Sequence, residues 1–249
     1  MDKAAFETAR LKALTEDKKR NSVGLLAEKT VHTTVKYYLE PDKSYHEVPV
    51  GRYVADVFRD GQIYEVQTSS FSKMKDKLAF FLEHYHVTVV YPIPREKKIV
   101  WINPSDGSFG KPHKSPYKGS LTDLGYEIFP FLPFLSHPNF SLIALLMDIT
   151  EYRMQDGWSI DRKKGSHRFD RVPGELIDEI RFTSLEDYEK LVPDMEKKVF
   201  TANDFYRKIK SYGWKSSAYF SALRKMGFIE QVGKQGNRLL FSLAVKKTI

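Results

Sequence analysis

Cysteine is absent from the 249-residue sequence. This absence excludes disulfide frameworks and thiolate zinc sites, and it favours a reducing compartment, so we expect a cytoplasmic protein. Long apolar runs are also missing: the run LIALLM is broken by Asp148, and the charged N-terminus MDKAAFETARLKALTEDKKR has no apolar core segment. We therefore expect no secretion signal, no membrane-spanning helix and no membrane partner.

Several motifs of nucleotide- and zinc-dependent enzymes are missing as well. The sequence contains neither GxxxxGK[ST] nor GxGxxG, so a nucleotide-driven activity has no support. The seven histidines are scattered, and no HExxH or comparable ligand spacing occurs. His84 and His86 run from a predicted helix into a strand and need not share a face. The sequence therefore does not predict a histidine-based zinc enzyme.

The positive charge that is present lies at one end of the chain. Length and a hydrophobic content of 41% allow one large domain or two ordinary ones, and we expect two. Residues 194–249 carry twelve Lys or Arg and four Asp or Glu, which accounts for the whole net charge of +8. A basic excess confined to one end predicts a surface for a polyanion such as DNA, and a merely solvated face is the alternative.

The basic end has the order helix, turn, helix, β-hairpin. FTANDFYRKIK predicts a helix with Thr201 as N-cap, and KSSAYFSALRKMG predicts a second helix that ends at Gly227. FIEQV and RLLFSL predict two strands around a GKQGN turn. This order resembles a winged helix. Winged helices bind DNA or proteins, and the positive charge favours nucleic acid.

By this resemblance, eight residues are expected to contact DNA: Lys215, Ser216, Ser217, Tyr219 and Arg224 on the second helix, and Lys234, Asn237 and Arg238 on the wing. The small core of the module is predicted to comprise Phe205, Ile209, Tyr219, Leu223, Met226, Phe228 and Ile229. FSLIALLMDITEYRM is expected to supply the first helix of the module, and KKGSHRFDR, residues 163–171, a basic loop. The stretch from Asn103 to Phe140 has six prolines and four glycines and predicts an ordered linker, because YEIFPFLPFL is too aromatic for a flexible tether.

The N-terminal half contains a hairpin with two acids. In DVFRDGQIYEVQ, residues 56–67, Asp60-Gly61 predicts a type I′ turn between two strands. The two-residue loop pairs 59 with 62, 58 with 63 and 57 with 64, which places Asp56 opposite Glu65, with Gln67 on the same face. Opposed carboxylates repel and are costly to bury, so we expect a divalent cation, Mg²⁺ or Mn²⁺, to compensate them. Solvated acids on an edge hairpin, or a salt bridge from a nearby lysine, are the alternatives.

A third acid precedes the hairpin. In NSVGLLAEKTVHTTVKYYLEP, Leu25, Val31 and Val35 define one helical face, and Glu28 falls on it. A helix packed on the sheet would bring Glu28 to the two opposed acids. Alternatively, Glu28 lies at the margin of the apolar stripe and reaches water.

The first hundred residues resemble the PD-(D/E)XK nucleases, a superfamily that includes restriction enzymes and Holliday-junction resolvases. A helix bearing Glu28, the strands YHEVPV, RYVADVF and IYEVQTS, the helix FSKMKDKLAFFLEHY and the strand VTVVYPI follow its α-β-β-β-α-β order. By this resemblance, Asp56 matches the first acid of the motif, Glu65 the second and Gln67 the position usually held by lysine. Glu28 matches the helical glutamate of resolvase-like members, whereas Ala55 replaces the proline of the motif.

The resemblance implies an α/β (α+β) protein of two domains. A restriction-endonuclease-like αβββαβ core would occupy residues 1–103, a linker residues 104–140 and a mainly helical winged-helix domain residues 141–249. The implied activity is metal-dependent hydrolysis of DNA by a homodimer, since duplex cleavage by this architecture often uses two active sites. Asp56, Glu65 and Glu28 would bind the metal ion, and Gln67 would position the water.

The glutamine at the lysine position leaves other outcomes open. Lys73, Lys75 or Lys77 on the next helix could substitute for the missing lysine. SKMKDK is equally typical of an exposed helical face with Met74, Leu78 and Phe81 turned inward. A non-catalytic DNA-binding regulator with a degenerate nuclease-like domain is one alternative function, and a protein-interaction scaffold is another.

Overall fold

The computed structural model describes residues 1–20, 29–68, 70–157 and 165–244. The helices are α1 (Lys3–Arg20), α2 (Lys29–Leu39), α3 (Lys75–Leu82), α4 (Leu121–Glu127), α5 (Ala202–Lys208) and α6 (Trp214–Lys225). The strands are β1 (His46–Val50), β2 (Tyr53–Arg59), β3 (Gln62–Val66), β4 (His86–Ile102), β5 (His113–Lys114), β6 (Phe140–Gly157), β7 (Gly165–Phe182), β8 (Ile229–Gln235) and β9 (Arg238–Leu243). Helices and strands mix, as expected for an α+β protein. No helix in these ranges is both long and apolar enough to cross a membrane.

The central feature is a mixed sheet in the strand order β1-β2-β3-β4-β6-β7, with β5 paired to β4. The first three strands form an antiparallel meander. The pairs β3–β4 and β4–β6 are parallel, and α3 lies in the crossover between β3 and β4. Over residues 29–102 the elements follow the predicted order of helix, three strands, helix and strand.

Apolar residues cover both faces of this sheet. Neighbouring residues of a strand point to opposite faces, and on β4 Val89 and Val90 belong to two different core clusters. The Val90 cluster contains Val31 and Val35 of α2, so α2 packs on that face. The Val89 cluster contains the buried residues of α3 and of the C-terminal elements. The sheet is therefore sandwiched between two helical layers.

The predicted hairpin between β2 and β3 is confirmed. Asp60 and Gly61 have φ values of 50° and 80°, the left-handed conformation that a type I′ turn needs at both central positions. Pairing runs Arg59 with Gln62, 58 with 63 and 57 with 64, as the two-residue loop requires. The register that sets Asp56 opposite Glu65 is therefore correct.

The predicted helix FSLIALLMDITEYRM is wrong, because these residues form most of strand β6. The segment lies between β4 and β7 and is apolar on both faces, and periodicity alone cannot distinguish such a strand from a buried helix. The predicted loop at 163–171 is also wrong from Gly165 onward, where β7 begins. Since β6 and β7 belong to the main sheet, the sheet extends past the predicted boundary at residue 141 and ends at Phe182.

The C-terminal elements follow the predicted order of α5, α6 and the β8–β9 hairpin. Thr201 caps α5 in a capping box with Asp204, and Gly227, with φ 83°, follows the end of α6. The seven predicted core residues are all packed into the core, five of them buried and two, Ile209 and Phe228, partly buried. The predicted linker is ordered and supplies α4, whose Tyr126 packs edge-on against Tyr219 of α6.

Candidate functional site

Three neighbouring strands each contribute one acid to the same row of the sheet. The β1–β2 register brings Glu47 level with Asp56, and the β2–β3 register brings Glu65 level with Asp56 on its other side. Glu47 has a φ of 53°, a left-handed conformation that costs a residue with a side chain about 1 kcal/mol or more. The row Glu47, Asp56, Glu65, called the acid row below, lies across the edge of the sheet formed by the meander.

The carboxylates of Asp56 and Glu65 each accept a hydrogen bond from a backbone N–H of the opposite strand in the β2–β3 hairpin. The backbone N–H of Asp56 donates to Glu65 Oε1 at 3.2 Å, and the N–H of Val66 donates to Asp56 Oδ2 at 2.8 Å. Each carboxylate thus reaches the opposite strand. The prediction that these two acids converge is confirmed, and both are shielded from water, with side chains 16% and 5% exposed.

Lys77 of α3 donates a hydrogen bond to Glu65, with Nζ 2.6 Å from Oε2. Burial raises the pKa of Glu65, the negative charge of Asp56 raises it further, and Lys77 offsets only part of the effect, so that the pKa reaches about 7. Of the three candidate lysines, Lys73 and Lys75 are exposed, as expected for a solvated face. Met74, Leu78 and Phe81 are buried as predicted. Lys77 alone of these lysines reaches the acid row.

Helix α2 supplies two more partners, one turn apart. His32 Nε2 is 3.1 Å from Asp56 Oδ2, and Lys36 Nζ contacts Glu47 Oε1. Burial would raise the pKa of Asp56, but the hydrogen bond and charge of His32, together with the Val66 N–H, hold it below its ordinary value. Asp56 and Glu65 therefore have pKa values shifted in opposite directions, although they are adjacent.

His32, Glu47 and Asp56 form a candidate metal site. One ligand atom from each of these side chains lies within 4.8 Å of the other two. Ligands bound about 2.1 Å from one ion are at most about 4.2 Å apart, so a small closing of these side chains would suffice. Two carboxylates with an imidazole suit Mn²⁺ or Zn²⁺ better than Mg²⁺, which favours oxygen ligands. In the described part of the chain, Glu65 is not a member of this group.

The predicted metal ligands are thus only partly brought together. Asp56 belongs to the candidate metal site, and Glu65 lies beside this site and accepts a hydrogen bond from Lys77. Glu28 lies outside the described residues. The proposed water-positioning role of Gln67 stays a prediction, and the structure shows one contact of its side chain. Its side-chain amide donates to the backbone carbonyl of Ser70 at 3.0 Å and so helps to hold the segment between β3 and α3.

Sequence reasoning missed His32, Lys36 and Glu47. One sequence signal could have found Glu47, and a second shows only that His32 and Lys36 face the same way. Glu47, Asp56 and Glu65 recur at intervals of nine residues, which matches one strand plus one turn of a meander. His32 and Lys36 are four residues apart, so they share one side of α2.

The residues predicted to contact DNA divide into exposed and buried groups. Lys215, Ser217 and Arg224 on α6 are exposed, as are Lys234, Asn237 and Arg238 on the β8–β9 hairpin. The assignment of Tyr219 and Ser216 to direct DNA contact is wrong, because both are buried. Tyr219 Oη donates to the Leu191 carbonyl, and Ser216 Oγ donates to Ser211 Oγ at 2.9 Å. Both occur at helical spacing from Leu223 and so face inward.

Comparison with known proteins identifies a family. Residues 29–183 match a family model described as a domain of unknown function (DUF8091). A protein of Treponema pallidum (strain Nichols), described as an uncharacterized protein, is 32% identical over 149 residues, which is 59% of this chain and 57% of that protein. The chain therefore spans a little more than half of this relative. No solved structure matches the chain. The family match includes the acid row, α2 and α3, and it ends one residue after β7.

Proposed function

The chain belongs to the DUF8091 family, and we propose that it is a metal-dependent endonuclease that hydrolyses phosphodiester bonds of DNA. The observation that carries this proposal is the convergence of three carboxylates from adjacent strands with His32 and Lys77 from helices. Acids in adjacent positions are costly to bury, and a bound cation is a direct way to offset that cost. The exposed cations of α6 and of the β8–β9 hairpin would hold the nucleic acid.

His32, Glu47 and Asp56 are the residues that would bind the divalent ion. When bound, such an ion supplies a Lewis acid that offsets the negative charge of the scissile phosphate. The mixed donor set leads us to propose Mn²⁺ as the better activator and Mg²⁺ as the weaker one. The Val66 N–H and the imidazole of His32 keep Asp56 ionised and oriented.

Glu65 and Lys77 would serve the attacking water. Their contact of 2.6 Å places an acceptor and a cation together beside Asp56. In this proposal Glu65 accepts the proton of the water, while Lys77 holds the carboxylate in place. Lys77 thereby supplies the cation that PD-(D/E)XK nucleases carry two residues after the second acid, where this chain has Gln67. The proposed fold of residues 29–102 is accordingly the αβββαβ core of those nucleases.

The C-terminal elements, from α5 to β9, are proposed to act as a winged helix on DNA. The wing and the exposed side of α6 carry positive charge, as phosphate contacts require. Duplex cleavage by this architecture often uses two active sites, so we propose a homodimer on duplex DNA, which light scattering of the complex would reveal as two chains per duplex. The cysteine-free composition fits action in the cytoplasm.

A second candidate function is DNA binding without cleavage. Every member of the acid row already has a cationic or imidazole partner: Lys36 for Glu47, His32 for Asp56 and Lys77 for Glu65. Such a network can be satisfied without any ion. A regulator that retains the nuclease-like arrangement for stability alone would show this pattern too.

Cleavage of supercoiled plasmid and of labelled duplex in Mn²⁺, Mg²⁺ or EDTA tests the proposal. We expect nicking that requires the metal ion and is lost in Asp56→Asn. Glu179→Gln is the control, because Glu179 is a carboxylate buried more deeply than Asp56, 3% against 16% exposed, and accepts a hydrogen bond from Tyr38 away from the acid row. DNA binding without cleavage in any metal would favour the second function. Cleavage that persists in Asp56→Asn would refute the assigned site.

A further inference from the structure

Two large exposed aromatic side chains lie where the turn after α5 meets α6: Tyr212 is on the turn, and Trp214 is the first residue of α6. Tyr212 is 68% exposed and Trp214 is 74% exposed. Leaving such a ring in water forgoes roughly 2 kcal/mol of burial free energy, so paired exposed aromatics on one turn are typical of a binding surface. Gly213 separates the two residues with a φ of 106°, which only glycine adopts readily.

The turn that carries these rings is held in place. Ser216 Oγ donates to Ser211 Oγ at 2.9 Å, and the Ser211 N–H donates to the Tyr206 carbonyl at 3.1 Å. The Tyr206 ring also packs edge-on against Tyr212, with centroids 6.3 Å apart. Ser216, predicted to contact DNA, therefore acts on the turn from the inside. The Tyr212 ring, held in this way, loses little conformational entropy when a planar ligand stacks on it.

Cationic side chains lie on both sides of the two rings, and most of them also pair with an acid. Lys215 Nζ lies 5.6 Å from the centre of the Trp214 ring and pairs with Glu127, and the Lys215 side chain is 47% exposed. Beside the turn, a pocket of about 400 Å³ is lined by four cations, Lys197, Arg207, Lys208 and Lys210, and by two acids, Glu196 and Asp204. Lys208 pairs with Glu196, and Lys197 and Arg207 pair with Asp204, so the cations are in excess by two. Cations therefore lie at both ends of the turn, with the aromatic faces between them.

We propose that Tyr212 and Trp214 stack on unpaired bases of a single-stranded nucleic acid whose phosphates contact Lys208, Lys210 and Lys215. Exposed rings need free base faces as partners, and in a duplex these faces are already stacked on one another. Aromatic platforms flanked by Lys or Arg are the usual means of binding single strands. The proposed binding is independent of the nuclease activity. Its consequence for cleavage rests on the proposed function: the preferred substrates would be frayed, branched or gapped DNA.

Binding is tested without metal, so that the result does not depend on cleavage. Labelled oligothymidylate and oligouridylate of about twelve nucleotides, within the site sizes known for such surfaces, are titrated in EDTA and compared with a duplex of equal length. Trp214→Ala should weaken single-strand binding roughly 5- to 150-fold, the range for loss of one stacked base. Trp214→Phe should retain most of the affinity. Tighter binding of one of the two oligonucleotides shows whether the surface prefers single-stranded DNA or RNA.

Two controls separate stacking from charge and from misfolding. Phe109→Ala removes an aromatic ring with the same 68% exposure as Tyr212 from outside the basic end, and it should leave binding unchanged. Lys210→Ala should lower the slope of log affinity against log salt by about 1, with stacking intact. Tryptophan emission quenched by the oligonucleotide in the wild type should be unquenched in Trp214→Phe.

The inference is overturned if Trp214→Ala and Tyr212→Ala bind single strands as tightly as the wild type. It is also overturned if they lose duplex and single-strand binding equally, since the rings would then serve no base face. Absence of binding to any nucleic acid would assign the surface to a protein partner and refute the proposal. Asp56→Asn should bind like the wild type, so that loss of cleavage with unchanged binding is a result about the acid row alone.

Discussion

Two glutamates are buried in the same sheet, and their surroundings differ. Glu65 on β3 is 3% exposed and Glu151 on β6 is 1% exposed. Arg153 hydrogen-bonds Glu151 at 2.6 Å, and Lys97 and Arg168 approach it to 3.5 and 3.6 Å. Three cations therefore compensate one carboxylate. At the acid row, a single lysine faces Glu65, and a second carboxylate is adjacent.

The charges decide the protonation of each glutamate. Burial would raise both pKa values, but Lys97, Arg153 and Arg168 hold the pKa of Glu151 below its ordinary value. The pKa of Glu65 is raised to about 7 by burial and by Asp56, against Lys77. Burial alone thus does not identify a chemical site. A buried acid with surplus cations serves structure, whereas one with too few cations is where a metal ion or a proton can be bound.

The largest effect is expected from Asp56→Asn, which removes the central carboxylate of the acid row. The proposed metal site loses a charged ligand, so Mn²⁺-dependent cleavage should fall about 10³-fold or more. Manganese binding, followed by the electron paramagnetic resonance signal of the free ion, should weaken in parallel. The same titration on Glu151→Gln should match the wild type, because three cations already repel a divalent ion there. Equal manganese binding by Asp56→Asn and the wild type would contradict the proposed difference between the acid row and the surroundings of Glu151.

The next effect is on stability, and it concerns Glu151. Glu151→Leu leaves Lys97, Arg153 and Arg168 without their common partner, whose carboxylate is buried. Removing one member of a buried ion pair costs 3 to 5 kcal/mol, and the partly exposed cations place this case at about 3 kcal/mol. Urea unfolding at pH 7 measures the loss. Lys77→Met, which removes the single cation at Glu65, is the comparison, and a larger loss there would reverse the ranking.

The two glutamates should also respond oppositely to pH. Glu65 keeps its proton in the folded state up to about pH 7 but releases it near 4.5 when unfolded, so stability falls as pH rises through this window. Between pH 5 and 7 the loss amounts to about 2 kcal/mol. Glu151 contributes stability above pH 4.5 that is lost as pH falls, since its folded pKa is lowered. Relative to the wild type, Glu65→Gln should therefore gain stability between pH 5 and 7. A constant difference would show that Glu65 does not titrate there.

Local signals made part of this arrangement predictable from sequence. Asp60-Gly61 fixes the β2–β3 register within six residues, and the opposition of Asp56 and Glu65 follows from it. The capping residue Thr201 likewise marked the start of α5. Turns and helix caps depend on residues that are neighbours in sequence, so they can be predicted without knowledge of the fold.

Features that depend on packing were not predictable in this way. The sequence of strand β6 predicts a helix equally well, because an apolar run has the same composition in a central strand and in a buried helix. His32 and Lys36 reach the acid row only because α2 packs on the sheet, a contact that sequence spacing does not show. The acids could be found by register, but the partners that set their chemistry could not.

The smallest effect should come from Lys36, the cation that occupies Glu47 in the proposed metal site. Lys36→Met removes a competitor for the Glu47 carboxylate and makes the acid row less compensated, so Mn²⁺ affinity should rise about fivefold, equivalent to about 1 kcal/mol of ion-pair free energy. Isothermal titration with Mn²⁺ measures the change. Lys43→Met is the matched control, since Lys43 pairs with Glu16 at 3.0 Å and not with the acid row. Weaker binding in Lys36→Met would mean that Lys36 positions Glu47 for the ion, and the contrast with Glu151 would then depend on Asp56 and Glu65 alone.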